Sequence, residues 1–119
     1  MKILSPYQTF EDERGCLLGL LNHSEWQEIN FLETRAGNQR GNHYHKNTRE
    51  FFFIIEGRGE IEIISESQGK EVHEFKSLDM FIIEPMEIHT FYCHENTKWI
   101  NALTLKFDAD NPDIHLPER

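Results

Sequence analysis

Cysteine is scarce in this chain of 119 residues: only Cys16 and Cys93 are present, with neither a CxxC spacing nor the density of a secreted disulfide scaffold. Both are expected to be reduced. Positive charge is also short, with 12 Lys and Arg against 21 Asp and Glu for a net charge of −9. Without clustered basic side chains there is nothing to displace counterions from a phosphate backbone or an anionic lipid surface, so neither nucleic acid nor membrane is expected as a partner. Long apolar runs are missing: the densest, Phe51 to Ile55, is far below the roughly 20 residues of a membrane span. The opening Met1-Lys2-Ile3-Leu4-Ser5-Pro6 is too short in apolar residues for a signal peptide, and a cytoplasmic location is expected. No repeat, low-complexity tract or linker interrupts residues 1–119, which read as a single domain.

What is present is a series of short segments rich in Ile, Phe, Tyr and Leu, broken at close intervals by turn residues, as in an all-β sandwich or barrel. Strands are predicted at Cys16 to Leu21, Glu28 to Thr34, Asn42 to His45, Phe51 to Glu56, Glu60 to Ser65, Glu71 to Phe75, Met80 to Glu84, His89 to His94 and Trp99 to Phe107. Alternation in Glu60-Ile61-Glu62-Ile63 and in Trp99, Asn101, Leu103, Leu105, Phe107 gives each of these strands one dry face. Phe51-Phe52-Phe53-Ile54-Ile55 is apolar throughout, so a barrel interior, a packed sheet or a partner subunit must cover both of its faces. This predicts a homodimer. A helix is the rival reading of that run, but Gly57-Arg58-Gly59 leading into an alternating strand favours a hairpin. Thr9 to Gly15 reads as a polar turn entering the first long strand, with a helix as the alternative.

Chemistry concentrates in the histidines. His43 and His45, two apart on one strand, point to the same side and can share an ion or a substrate. Glu50 follows at an odd interval, so it joins them only if the chain bends at Lys46-Asn47-Thr48-Arg49. Beyond that bend Glu50, Phe52 and Ile54 share a face. His89 opens another strand with Phe91 and Cys93 on its own side. Three imidazoles and one carboxylate suit a divalent transition metal such as Zn, Fe, Ni or Mn. His23, His73, His94 and His115 sit in turns or on polar faces and are read as solvated.

The spacing of Gly37, His43, His45, Glu50 and Gly57 resembles the first signature motif of the cupin superfamily at every fixed position. Asp79, Pro85 and His89 are similar to the second motif, with Asp79 in place of glycine and one residue fewer between Pro85 and His89. The resemblance implies a small double-stranded β-helix, the cupin jelly-roll barrel, with His43, His45, Glu50 and His89 as metal ligands and a dimer covering an outer sheet. Arg40-Gly41-Asn42-His43-Tyr44-His45-Lys46 narrows it. The string is similar to those of nucleotide-sugar 3,5-epimerases and 3,4-ketoisomerases and, more closely, to that of the cupin domain of capsular-polysaccharide reductases, whose ends the segment Phe107 to Asp113 also resembles.

That likeness implies a keto-sugar isomerase or epimerase of polysaccharide biosynthesis acting on a nucleotide-linked substrate. His43 would be its base and Arg40 would bind the pyrophosphate. The epimerases and ketoisomerases work without metal, whereas Glu50, replacing the ketoisomerase glutamine, favours a metallated relative. If the metal takes all four ligands, another base is required, and Tyr92 is the candidate. Two other readings stand beside this one: a metal-dependent small-molecule dioxygenase, and a non-catalytic ligand-binding module.

Overall fold

The computed structural model describes residues 1–118 and is all-β, with no helix among them. In chain order the strands are β1 (Lys2–Leu4), β2 (Gln8–Asp12), β3 (Gly15–Gly19), β4 (Glu28–Thr34), β5 (Gln39–His43), β6 (Glu50–Glu56), β7 (Arg58–Ser65), β8 (Gly69–Lys76), β9 (Met80–Ile83), β10 (Ile88–Cys93) and β11 (Thr97–Leu103). One antiparallel sheet runs β1-β9-β6-β11-β4, a second runs β5-β10-β7-β8, and β2 and β3 form a separate hairpin. No helix of the described residues is long and apolar enough to cross a membrane.

The two sheets face each other across one core, and strand alternation decides what fills it. Phe52 and Ile54 from β6, Phe81 and Ile83 from β9, and Trp99 from β11 meet Ile61, Ile63, Phe91 and Cys93 from the opposite sheet. Each large side chain buried there stabilises the fold by roughly 1.5–3 kcal/mol before ordering costs. The aromatic members interlock, with Phe91 edge-on to Trp99 at 4.8 Å between ring centroids.

The wholly apolar run is therefore a central strand, covered inside by this core. Its outer side chains Phe51 and Phe53 pack with Met80, Ile82 and Ala102 under Leu20, Leu21 and Trp26 of the same chain. The turn after it is not the expected hairpin. Strands β6 and β7 belong to different sheets, and Gly57 is the corner between them. Its φ of +124° and the Thr97 Cα, which a Cβ at Gly57 would meet at 2.7 Å, restrict that corner to glycine.

Other boundaries differ from expectation, and the strand expected at Asn42 to His45 runs instead over Gln39–His43, which leaves His45 just beyond its end. Thr9 to Gly15, expected as a turn, holds most of β2 and the tip of a hairpin, paired from Gln8↔Gly19 to Asp12↔Gly15. Lys2–Leu4 adds an edge strand on β9. The last strand stops at Leu103 rather than Phe107, because its partner β6 begins at Glu50, directly opposite Leu103.

Candidate metal and substrate site

Strand β5 is bent where its chemistry lies. Gly41 and Asn42 both have positive φ, at +96° and +58°, and the register against β10 jumps from His89↔His43 to Thr90↔Gly41, leaving Asn42 as the extra residue of a bulge. The bulge resets alternation, so Arg40, opposite Phe91, and His43, opposite His89, both lie on the side of β5 that faces the first sheet although they are three apart. Glycine is required at position 41 because a Cβ there would sit 2.6 Å from the His89 carbonyl oxygen. The chain then leaves its sheet after His43, turns through Lys46 to Arg49 and enters the first sheet as β6 at Glu50, which is the bend the odd interval demands.

The bend and the β5–β10 pairing bring His43, His45, Glu50 and His89 together, each with a ligand atom within 4.8 Å of the others'. His45, Glu50 and His89 are buried, and His43 is half-buried at the rim. Glu50 Oε1 lies 3.0 Å from His45 Nε2 and 3.6 Å from His89 Nε2, while Glu50 Oε2 accepts a 2.6 Å hydrogen bond from Asn101 Nδ2.

Backbone carbonyls behind the imidazoles set their tautomers. His45 Nδ1 is 2.6 Å from the Asp113 carbonyl and His89 Nδ1 is 3.0 Å from that of Glu87. A carbonyl only accepts, so Nδ1–H is the donor to it in each ring, and Nε2 is the nitrogen turned toward the carboxylate. Several acceptors converging on one point need a cation between them. Donor atoms each about 2 Å from one ion lie roughly 3–4 Å apart, as Glu50 Oε1 does from the Nε2 atoms of His45 and His89, so a divalent transition metal fits these three donors.

Without metal a proton takes that place. Burial alone would lower the His45 pKa, but the hydrogen bonds to Glu50 and to the Asp113 carbonyl outweigh it and raise it. Burial would raise Glu50, yet His45, the charge near His89 and Asn101 hold it below its usual value. His43 is lowered by burial and then by the charge on His45. His89, the most deeply enclosed, is pushed by burial down to about 4.

These directions give a stability prediction. Between pH 6.5 and about 4 the unfolded chain takes up a proton at His89 that the folded chain refuses, so stability falls as pH falls, on the order of 3 kcal/mol for this residue alone. His43 acts in the same direction. His45 opposes them, because its raised value favours the folded state at low pH. Below the ordinary range of a glutamate the depressed Glu50 adds a further loss on acidification. Chemical denaturation with chelator present should show the midpoint dropping from pH 7 to pH 4.5; a flat profile would contradict the neutral burial of His89.

The remaining candidates are placed differently. Arg40 is exposed at the open edge between β5 and β4, donating from Nε to Thr34 Oγ1 at 2.9 Å and from Nη2 to the Glu33 carbonyl at 2.8 Å. Tyr92 is not brought to the cluster. It alternates with Phe91 and Cys93, both buried in the core, so its side chain lies on the outer face of β10. Tyr44 points away as well, packing its ring 5.3 Å from that of His115. His115, expected as solvated, is partly buried there and lies outside the cluster.

Asn101 is the member that sequence reading missed. It is 7% exposed, and its Oδ1 is buried without a partner. The available signal was a carboxamide at an inward position of an otherwise apolar alternation, between Trp99 and Leu103. The carbonyls of Glu87 and Asp113 had no signal, since every residue carries one.

Comparison with known proteins agrees with this architecture. No curated protein sequence matches the chain. The TDP-quinovose 3,4-ketoisomerase WlaRB from Campylobacter jejuni superposes with a TM-score of 0.82 at 19% identity, covering 98% of this chain and 92% of that one. The dTDP-4-dehydrorhamnose 3,5-epimerase from Sulfolobus tokodaii gives 0.70 at 21% identity, over 86% and 69%. The capsular polysaccharide assembling protein CapF from Staphylococcus aureus gives 0.68 at 20% identity over 100% of this chain, which spans about a third of CapF, 32% of its length. At these identities the likeness establishes a shared jelly-roll fold of the cupin type. The sequence profile described as polysaccharide biosynthesis C-terminal domain matches residues 10–113, and the chain belongs to that family.

Proposed function

We propose that this chain is a metal-binding cupin that isomerises or epimerises a nucleotide-linked keto sugar in polysaccharide biosynthesis. The observation that carries this reading is a division within the cluster. His45 and His89 close on Glu50 in the interior, whereas His43 stands half-buried at the rim, with a lowered pKa that leaves its imidazole neutral at pH 7. Three residues would hold the ion and the fourth would work as a base.

A divalent ion on His45, Glu50 and His89 would supply an electrophile for a carbonyl oxygen. His43 takes the proton from the carbon beside that carbonyl and returns it, to the same or the opposite face or at a neighbouring atom. Base catalysis of this kind is worth roughly 10²–10⁴-fold. Arg40, anchored by two of its donors to Thr34 and Glu33, keeps the rest of its fork at the open edge, where a pyrophosphate would lie. Phe52 and Phe91 close the interior behind the cluster against water. Support also comes from the solved relatives named as a 3,4-ketoisomerase and a 3,5-epimerase.

The test is proton exchange. In D₂O, with a panel of nucleotide-linked 4-keto sugars, deuterium should enter the sugar at a carbon next to the carbonyl, as read by NMR. No wash-in, with iron present and substrate-dependent oxygen uptake, would identify a dioxygenase instead. Saturable sugar-nucleotide binding with neither reaction would identify a binding module.

The proposal includes a homodimer. Ile29 and Phe31 on the outer face of β4 are 72% and 59% exposed, beside the apolar surface continued by Phe53 and Ile100. Phe10 and Leu17 of the β2–β3 hairpin are exposed as well. A second copy would cover these surfaces. Sedimentation at micromolar concentration should give twice the chain mass; a monomer overturns it.

A further inference from the structure

Asp113 lies 68 residues from His45 in the chain, yet it holds three successive residues, 46 to 48, of the turn that carries His45 toward Glu50. Its Oδ1 accepts the Lys46 N–H at 2.8 Å, and its Oδ2 accepts the N–H groups of Asn47 and Thr48 at 2.8 and 2.9 Å and the Thr48 hydroxyl at 2.8 Å. Its backbone carbonyl takes His45 Nδ1–H at 2.6 Å. His115 Nε2 braces the same carboxylate at 3.0 Å, and residue 115 is tied to Tyr44 by two backbone hydrogen bonds of 3.0 Å. Three successive N–H groups turned toward one carboxylate form a small anion-binding concavity, here filled by the chain's own side chain.

The placement bears on His45 through its tautomer. A neutral imidazole has one N–H, and two acceptors compete for that of His45: the Asp113 carbonyl at Nδ1 and Glu50 Oε1 at Nε2, 3.0 Å away. If Nε2 holds the proton, it donates to Glu50 and has no lone pair for an ion. If Nδ1 holds it, Nε2 is free to coordinate. We infer that Asp113 is a positioning residue, whose carboxylate seats residues 46–48 so that its own carbonyl fixes the Nδ1–H tautomer of His45 and keeps Nε2 available as a ligand. This rests on the metal-binding part of the proposed function, not on its sugar chemistry.

His89 provides an internal control, because its Nδ1–H is held by Glu87 on the other side of the cluster, with no contact to Asp113. In ¹⁵N-histidine-labelled wild-type protein, NMR should show protected Nδ1–H signals for both His45 and His89. Asp113→Ala should lose the His45 signal, keep the His89 signal, and weaken Zn²⁺ affinity, measured by chelator competition, by roughly 10- to 100-fold. An unchanged His45 signal with unchanged Zn²⁺ affinity overturns the inference.

Asp113→Asn keeps one acceptor oxygen and nearly the same shape, so it carries the test if the alanine variant does not fold. It should show an intermediate loss at His45 with His89 intact, and behaviour identical to wild type overturns the inference as well. If wild type binds no Zn²⁺, the metal reading of the function fails by itself. The His45 signal still decides the role of Asp113, with loss in either folded variant supporting it and retention in both refuting it.

Discussion

Glu50→Ala is expected to abolish stoichiometric metal binding and to lower the melting temperature of the metal-free protein. Glu50 supplies the only carboxylate of the cluster, and it is 7% exposed. Its removal leaves Asn101 Nδ2 without an acceptor and His45 without a counter-charge. Breaking a buried charged pair by deleting one member costs roughly 3–5 kcal/mol, because the group left behind stays desolvated. The two imidazoles left as ligands, His45 and His89, are neutral and leave the full charge of a divalent ion uncompensated in an apolar surround, which lowers affinity further. Elemental mass spectrometry on untagged protein is the measurement. Wild type should carry near-stoichiometric zinc, iron, nickel or manganese, and the variant should carry little. A wild-type protein that remains metal-free after incubation with divalent ions would refute the ligand assignment and make His43 the base of a metal-independent isomerase.

His43→Asn is expected to reduce deuterium wash-in by 10²–10⁴-fold while the protein still binds metal. The two effects separate because His43 does not touch the carboxylate that His45 and His89 approach, and because it alone of the three is at the rim. Asparagine keeps polar bulk near the His89 ring, whose centroid is 4.6 Å away, but cannot take a proton at neutral pH. If His43→Asn loses metal as completely as Glu50→Ala, then His43 is a ligand and the base lies elsewhere. Tyr92 could not fill that role, since its side chain is on the other face of β10. The pair of variants thus decides between ligand and base for one residue, independently of which sugar is turned over.

Much of this was legible in the sequence, for identifiable reasons. A barrel with alternating faces follows from period-two hydrophobicity, and a strand covered on both sides follows from Phe51 to Ile55. The bend between His45 and Glu50 follows from an odd interval that a straight strand cannot satisfy. Periodicity does not say which strand pairs with which, however, so Gly57 could be read as a hairpin tip when it is a corner between sheets. The same blindness misplaced Tyr92. It is only a substitute base, for the case in which the metal takes all four ligands, and the alternation of β10 against a packed core turns it outward.

Local sequence therefore determined the residue types of the cluster and the strands that carry three of its four members. Tertiary structure alone decided the rest. The bulge at Gly41 and Asn42 puts Arg40 and His43 on one side of β5, Asn101 arrives from β11 to hold Glu50, and the carbonyls of Glu87 and Asp113 choose the tautomers of His89 and His45. Strand periodicity is written in side chains that follow one another along the chain. A carbonyl's partner is set by how a distant segment packs, and no residue type announces it.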